Sequence, residues 1–231
     1  MKSIQVLGGG AVAGLVAALT EPFGRQSGAA VTGEFGAVGA MKTLFLQNTP
    51  CDLLILTQAL MEELANTGHV IPSSITAVGY VPTGVAVRTG DPVPRIETRE
   101  AFRQTLRQAD EIYVPDLTRS TAGIHFARVL ESLDIAVEVK ASIRQYPNGK
   151  TAMEHLSRST AGTAIGCTQC TEILYTEGVT LAGPFPDEFK LSTLYSAGIC
   201  THAAAPEAAA QFLAMLTAPE QAPLRQSSGF Q

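Results

Sequence analysis

The chain has 231 residues, of which 45% are hydrophobic, enough for one large domain or two small ones with a real core. Disordered and fibrous classes are therefore excluded. Sixteen basic residues against 21 acidic ones give a net charge of −5, and no lysine or arginine run occurs. Binding to nucleic acid or to an anionic membrane surface is accordingly not expected. No run of about 18 apolar residues is present, so membrane insertion is not expected either.

The amino terminus passes from Met1 and Lys2 straight into a strand-like segment, SIQVL. A charged region, a hydrophobic region and a cleavage site cannot be laid out there in series. This predicts a cytoplasmic protein, whereas a leader removed ahead of the first residue would make it periplasmic.

The first predicted strand ends in a loop of small residues, Gly8 to Gly10, followed by an apolar helix predicted from Ala11 to Leu19. Such a loop presents free backbone N–H groups at the positive end of a helix, which is a natural seat for an anion. The same glycines with Ala13 also match the dinucleotide pattern G-x-G-x-x-A, and Glu34 follows about 20 residues later. Nucleotide binding is the alternative interpretation of this loop.

A second unit of the same kind spans Val31–Thr57: strand VTGEF, a loop from Gly36 to Ala40, a helix with Lys42 in its first turn, and the buried strand DLLIL. Two such loops at the carboxyl ends of their strands predict one cleft for a small anion. Lys42 adds a positive charge, although a solvated lysine is an equally good interpretation. The residues predicted to bind the anion in this half are Gly9, Gly10, Gly39, Ala40, Lys42 and Thr57.

The middle of the chain opens with an amphipathic helix predicted from Ala59 to Thr67 and ended by Gly68. The run ITAVGYVPTGVAVRTG then predicts two strand segments broken at Pro82 to Gly84, as in a chain crossing between two lobes. Thr98 is a good N-cap for the next helix.

Two further loops precede helices and add predicted anion-binding residues. Strand EIYVPD leads through Arg119, Ser120 and Thr121 into the helix IHFARVLESLDI; a surface arginine and ordinary N-cap residues are the alternative. VEVKASIRQY is predicted to be helical or irregular. Helix TAMEHLSRS follows a turn, and the residues of that turn are predicted to contact ligand: Asn148, Gly149 and Lys150.

The last third alternates in the same way. Buried strand GTAIGCTQ ends at Gln169, whose polar side chain needs partners or a ligand. A short helix (TEILYTEG), a strand (VTLAGPFPDEF), a long returning strand (LSTLYSAGICTHA) and a helix from Pro206 complete the chain. Tyr195 on the returning strand is more typical of a core or hinge residue. This order predicts an α/β fold with mainly parallel sheets and flanking helices, with a discontinuous lobe of residues 1–81 plus 193–231 and a continuous lobe of residues 82–192.

Cysteine and histidine do not form a convincing site. Cys167 and Cys170 have C-x-x-C spacing, but no second pair accompanies them and the four histidines are scattered. Buried small hydrophobic residues are the better interpretation than a redox or metal site. No metal and no cofactor are expected.

The order of these motifs resembles the periplasmic molybdate-binding proteins of ABC transporters, which have the two-lobed type II binding-protein fold. The resemblance covers essentially the whole chain and rests on the opening loop, EFGAVGAMK with CDLLILT, YVPDLTRSTAG, TAIGCTQ, and the closing AAAQFLAMLTAPEQAPLRQSSGF. It implies a ligand between the lobes, held in the family by uncharged donors that include serine hydroxyls on the first two loops and a tyrosine hydroxyl in the second lobe. Here both loops lack hydroxyls, and Cys167 stands near the tyrosine position.

Cations take the place of those hydroxyls in this sequence: Lys42, Arg119 and Lys150 lie at the predicted loops. Carboxylates suit such groups, arginine especially, so a larger organic polyanion is predicted. A second resemblance is then relevant, because aconitate isomerase is similar to this fold. It implies an isomerase that shifts a proton between allylic carbons of a tricarboxylate. A binding protein for molybdate or another oxyanion, transporter-linked or a cytoplasmic sensor, is the alternative.

The proton-transfer group of such an isomerase is not singled out by spacing. Lys42 is the candidate base, although a substrate carboxylate beside it would raise its pKa. Other candidates along the sequence are Glu34, Asp116, His125, Cys167 and Glu172. The expected partner is a small anionic ligand, and whether the chain forms a homodimer is left open.

Overall fold

The computed structural model describes Ser3–Gln231; Met1 and Lys2, the first two residues of the predicted discontinuous lobe, lie outside the described residues. The described chain divides into two compact units. One comprises the residues up to Val81 together with Thr193–Gln231, and the other comprises Pro82–Ser192.

Strands and helices alternate along the chain. The first unit opens with β1 (Ser3–Gly9), a 3-10 turn (Gly10–Val12), α1 (Ala13–Ser27), β2 (Ala30–Gly36), α2 (Val38–Leu46), β3 (Leu53–Thr57), α3 (Gln58–Asn66) and a 3-10 turn (Pro72–Ser74). The chain then passes into the second unit along β4 (Thr76–Arg88) and continues through α4 (Arg99–Gln108), β5 (Glu111–Pro115), α5 (Thr121–Ser132), β6 (Ile143–Tyr146), α6 (Gly149–Leu156), β7 (Ala164–Gln169), α7 (Cys170–Leu174), β8 (Val179–Pro184) and a 3-10 turn (Asp187–Phe189). It returns along β9 (Ser192–Ile199) and ends with α8 (Pro206–Thr217), a 3-10 turn (Pro219–Gln221) and α9 (Ala222–Ser227).

The sheet of the first unit has the strand order β2-β1-β3-β9. β1 runs parallel to β2 and β3, whereas β9 runs antiparallel to β3. Four consecutive residues of β3, Leu53 to Leu56, are buried, as expected for a strand covered on both faces. Their core continues into α1 and α8, where Phe23 and Phe212 meet with ring centroids 5.0 Å apart.

The sheet of the second unit has the order β4-β7-β5-β6, with β8 on the other side of β4. β5 runs parallel to β6 and β7, whereas β4 runs antiparallel to β7 and β8. Phe102 on α4 and Phe126 on α5 are fully buried and both pack against Phe185. The strands followed by predicted anion loops are thus parallel, and the antiparallel ones are β4, β8 and β9.

Three local predictions were wrong. β4 runs unbroken through Pro82 to Gly84, and VEVKASIRQY ends in a strand, β6. The opening helix does not stop at Leu19 but continues past Pro22 to Ser27, where Gly28 adopts φ 69° and ends it.

Two helix boundaries were predicted correctly from their end residues. Thr98 caps α4, because its hydroxyl accepts a hydrogen bond from the Ala101 N–H at 3.2 Å. Gly68 follows the last residues of α3 with φ 78°, a left-handed conformation that glycine adopts at little cost.

Candidate functional site

The predicted loops of the first unit lie at one edge of its sheet. β1 and β2 are parallel, and their register pairs Gly9 with Gly36, so the two strands end side by side. Gly10 begins the 3-10 turn that follows β1. The space beside Gly9 is filled by neighbouring side chains, since a Cβ atom there would lie 2.8 Å from the Tyr195 ring and 2.9 Å from Val38. Tyr195, which is 3% exposed, therefore packs against the first loop.

The second loop is shorter than the sequence predicted. α2 begins at Val38, so Gly39 and Ala40 lie in its first turn and not in the loop. The first intrahelical bond runs from the Met41 N–H to the Ala37 carbonyl at 3.0 Å, which leaves the N–H groups of the first turn without a helical acceptor. These N–H groups and the positive end of the helix favour an anion.

Lys42 lies in the second turn of α2, one turn later than predicted. Its Nζ atom lies 2.5 Å from Glu63 Oε1 on α3, and its side chain is 23% exposed. Its charge is thus matched by a carboxylate of the same unit. Thr57 precedes α3, and its side chain makes no capping hydrogen bond. This hydroxyl is therefore not used by the helix that it precedes.

The register of the second unit brings its predicted residues to one edge. β6 and β7 both run parallel to β5, and Thr83 of β4 pairs with Gln169 at the end of β7. Gln169 is 2% exposed. Arg119, Ser120 and Asn148, which follow the ends of β5 and β6, therefore lie at the same edge.

The turn after β5 is organised by Asp116. Its Oδ1 atom accepts hydrogen bonds from the Thr118 hydroxyl at 2.7 Å and from the N–H groups of Thr118 and Arg119. The Thr118 hydroxyl is the main cause that lowers the pKa of Asp116 to about 2. The Arg119 guanidinium pairs with Asp116 Oδ2 at 3.0 Å, although 68% of the arginine side chain is exposed. Asp116 is therefore ionised at neutral pH and a weak proton acceptor.

Ser120 and Thr121 begin α5. Ser120 occupies the N-cap position and is 8% exposed, yet its side chain gives no capping hydrogen bond. Thr121 is the first helical residue. The first turn of α5 therefore offers N–H groups and a buried hydroxyl that the helix does not use.

The turn before α6 is occupied by a carboxyl group of the protein itself. Glu172, 6% exposed, accepts hydrogen bonds from the N–H groups of Gly149 and Lys150 and from the Thr168 hydroxyl at 2.5 Å. Burial raises the pKa of Glu172, and these hydrogen bonds oppose that shift. Asn148 caps α6 through the Thr151 N–H at 2.9 Å. The helix start predicted to hold ligand thus already holds the Glu172 carboxyl group.

All three predicted cations have acidic partners. Besides Lys42 with Glu63 and Arg119 with Asp116, the Lys150 Nζ atom lies 3.5 Å from Glu154. The groups at the two sheet edges that are still available to a ligand are mostly uncharged, namely helix N–H groups and hydroxyls.

Sequence reasoning missed several buried hydroxyls that have no hydrogen-bond partner among the described residues, of which Thr83 is the most buried. Thr83 is 1% exposed, and within Ser3–Gln231 its Oγ1 atom has no hydrogen-bond partner. Ser192 and Thr193, at the start of β9, likewise have buried hydroxyls without a partner among the described residues. Buried polar atoms normally have partners. A threonine next to Pro82 inside an apolar strand was the available signal, and it was interpreted as a strand break.

The candidates for proton transfer are dispersed. Glu34 is exposed on β2, and His125 hydrogen-bonds through Nε2 to the Phe189 carbonyl at 2.7 Å. Cys167 is fully buried, and burial raises the pKa of its thiol. Within Ser3–Gln231, no group of three or more His, Cys, Asp or Glu side chains is placed to hold a metal ion. Nor does that part of the chain contain a helix long and apolar enough to cross a membrane.

Comparison with known proteins identifies the class of this fold. Residues 4–231 match the family model of bacterial extracellular solute-binding proteins, and the chain belongs to that family. The fold is similar to the periplasmic molybdate-binding protein of Azotobacter vinelandii, with a TM-score of 0.81 and 17% identity over 99% of this chain and 98% of that one. It is also similar to the sulfate-binding protein SubI of Mycobacterium tuberculosis H37Rv, with a TM-score of 0.75 and 17% identity over 100% and 86% of the two chains.

One curated relative is an enzyme. The chain is 25% identical to an aconitate isomerase of a Pseudomonas species, over 99% of this chain and 87% of the relative. The predicted resemblance to molybdate-binding-like proteins, and to their aconitate isomerase relatives, is confirmed. The α/β binding-protein fold is confirmed as well.

Proposed function

We propose that this protein binds a small di- or tricarboxylate and interconverts trans- and cis-aconitate. The observation that carries this proposal is the match to an aconitate isomerase along nearly the whole chain. Ligand binding itself is a property of the solute-binding fold. The reaction is an allylic shift: a base takes a proton from the methylene carbon, the double bond moves, and a proton returns to the former vinylic carbon.

The donors proposed to hold the carboxylates lie at the two sheet edges. In the first unit they are the backbone N–H groups near Gly9, Gly10, Gly39 and Ala40, together with Thr57. In the second unit they are Arg119, Ser120, Thr121 and Gln169, to which the structure adds Thr83. Oriented N–H groups and hydroxyls stabilise carboxylates through charge-assisted hydrogen bonds. Arg119 contributes most if its exposed guanidinium turns from Asp116 to the ligand.

Three of the predicted residues have weaker support as ligand contacts. Asn148 is used as a cap, and the N–H groups of Gly149 and Lys150 already donate to Glu172. We retain them as proposed contacts only on condition that Glu172 leaves this helix end when the ligand binds.

The proton-transfer group is proposed to be Lys42, which must separate from Glu63 and act as the neutral amine, because an ammonium group has no lone pair to accept the methylene proton. Lys42→Met should then abolish turnover while leaving substrate binding within about threefold. An equal loss in kcat and in affinity would instead make Lys42 a binding residue.

The test is proton NMR of trans-aconitate with purified protein in D₂O. Appearance of cis-aconitate with deuterium incorporated at the reacting carbon is the expected result. Ser120→Ala should raise KM without changing protein stability, since its hydroxyl does not cap α5. If neither cis-aconitate nor deuterium incorporation appears when the substrate saturates the protein, the isomerase assignment is wrong.

A second function, oxyanion binding, is favoured by the uncharged donors and by the fold similarity to a molybdate-binding protein. A thermal-shift series with molybdate, sulfate, citrate and both aconitates separates the two functions. A ligand at 100 times its Kd should add about 2.7 kcal/mol of stability. If molybdate alone stabilises the protein, the function is oxyanion binding and the isomerase proposal is wrong.

A further inference from the structure

Two cysteines that are distant in sequence meet in the first unit. The Sγ atom of Cys200 donates to the Sγ atom of Cys51 at 3.4 Å, across 149 positions of the chain. Cys51 precedes β3 and Cys200 follows β9, which are antiparallel neighbours with Leu53 opposite Ile199. The Cys200 N–H donates to the Asp52 carbonyl at 3.0 Å, so the backbone also holds this pair in place.

The pair borders a cavity of about 490 Å³ that is also lined by Phe45, His69 and His202. Cys51 is partly exposed, whereas Cys200 is 3% exposed. A small reagent therefore reaches Cys51 first. The hydrogen bond to Cys51, together with burial, raises the pKa of Cys200. Because Cys51 is the more accessible thiol, it is the member expected to react first, and Cys200 lies within contact distance to react second.

We propose that Cys51 and Cys200 are a redox couple that closes to an intramolecular disulfide on reaction with a peroxide. The Cys51 thiolate attacks a peroxide oxygen, and the O–O bond breaks to give a sulfenic acid and, after protonation, one water. Cys200 then loses its proton and attacks the sulfenic sulfur, which forms the S–S bond and releases a second water. Two thiols lose two electrons in all, and the peroxide is reduced to two waters.

The disulfide would join the segment before β3 to the segment after β9. Cross-links between positions far apart in the chain restrict the unfolded state most. The expected consequence is a more stable oxidised form, in which the strand that ends at Thr57 is tied to its neighbour.

The C-x-x-C pair serves as an internal contrast. Cys167 and Cys170 are buried, and burial raises the pKa of both thiols, that of Cys170 to about 12. Thiols in such surroundings are unreactive. Cys167 and Cys170, which have the C-x-x-C motif, are therefore expected to stay reduced. Cys51 and Cys200, which have no such motif, are expected to react.

The test uses the full chain, reduced and then treated with hydrogen peroxide in slight excess. The number of free thiols per chain, titrated in denaturant, should fall from four to two, since the chain has four cysteines. Peptide mapping should find Cys51 linked to Cys200, and Tm should rise by about 5–10 °C in a manner reversed by dithiothreitol. Cys51→Ser should remove the rise in Tm, and Cys170→Ala should retain it.

Retention of four free thiols after treatment would overturn the proposal. A link that involves Cys167 or Cys170, or one that joins two chains, would overturn it as well. Peptide mapping of the unmutated protein gives this answer even if a variant fails to fold.

Discussion

At the scale of single residues, Gly149 is constrained most sharply. A Cβ atom at this position would lie 1.9 Å from Glu172 Oε2 and 2.1 Å from the Thr168 hydroxyl. Both neighbours are buried and hydrogen-bonded to each other, so neither can move away cheaply. Glycine is required here for the close approach of a carboxylate to a helix end.

Gly149→Ala is therefore expected to destabilise the protein by about 3 kcal/mol or more. Chemical denaturation measures this loss. Gly24→Ala in α1 is the matched control, since its Cβ atom would make only ordinary contact with the Ala29 carbonyl, at 3.6 Å; it should be neutral or stabilise by up to about 1 kcal/mol. Adding Glu172→Ala to the Gly149→Ala variant should recover part of the loss, and a purely additive result would contradict the steric explanation.

Asp116 makes part of the protein's free energy of unfolding sensitive to acid. Its pKa is about 2 in the folded protein and 3.8 without these contacts. The folded-state pKa is lowered, so the stabilisation is present above pH about 4 and is lost as the pH falls towards 2.

Asp116→Asn should cost about 1 kcal/mol at pH 7, a value reduced from the full linkage because Arg119 is largely exposed. The difference between variant and parent should shrink steadily as the pH falls from about 4 to 2 and vanish below that. Urea denaturation at a series of pH values measures it, with Asp187→Asn as the control on an exposed turn. A difference that persisted unchanged at pH 2 would assign the effect to packing instead.

At the scale of elements, two helix starts with polar N-cap residues differ in what the cap does. Asn148 accepts a hydrogen bond from the Thr151 N–H at the start of α6, whereas Ser120 accepts no such bond at the start of α5. The sequence pattern alone does not separate these two roles, because both are preferred N-cap residues.

Asn148→Ala should therefore cost about 1 kcal/mol of stability, and Ser120→Ala less than about 0.5 kcal/mol. The free energy of unfolding of both variants, measured in parallel, tests the difference. Equal losses would show that Ser120 caps its helix after all and would weaken its assignment as a ligand contact.

Elements were predictable where the local chemistry was sufficient. The alternation of buried strands with helices follows from apolar periodicity, and Thr98 and Gly68 mark boundaries through their own backbone preferences. β4 was misjudged because Pro82 removes one N–H group without ending the strand, and proline is tolerated where that N–H is not needed. β6 was missed because only four residues form it and none is fully buried.

At the scale of the whole molecule, the last residues help to hold the first unit together. Phe230 is 4% exposed and packs over Gly79, whose Cβ position lies 3.1 Å from the ring. Tyr80 and Gln231 exchange backbone hydrogen bonds at 3.1 and 2.8 Å. The end of the sequence thereby completes the edge of β4 within this unit.

Phe230→Ala is expected to lower the free energy of unfolding by about 3 to 4 kcal/mol. Thermal or urea unfolding measures this change, and Leu46→Ala, at a side chain that is 43% exposed, is the control with little effect. A loss below 1 kcal/mol would mean that the tail only rests on the surface.

The candidate site was less predictable than the fold, because two of its acidic groups come from distant parts of the chain, whereas the Arg119–Asp116 and Lys150–Glu154 pairs are local. Lys42 and Glu63 are 21 positions apart, and Glu172 fills the start of α6 from beyond β7. The sequence alone does not show that Glu63 faces Lys42 or that Glu172 fills the start of α6. Gly9, Gly10 and Thr57 were easier to place, since they lie where β1 and β3 end.

The discontinuous first unit also has a consequence for synthesis on the ribosome. β1, β2 and β3 emerge early, but β9, which pairs with the open side of β3, belongs to a segment that starts at Thr193. About 110 residues of the second unit are translated in between, which takes about 5 to 20 s at bacterial elongation rates. During that interval the nascent chain carries an apolar strand with an unpaired edge, and this is the period in which chaperones would protect it from aggregation.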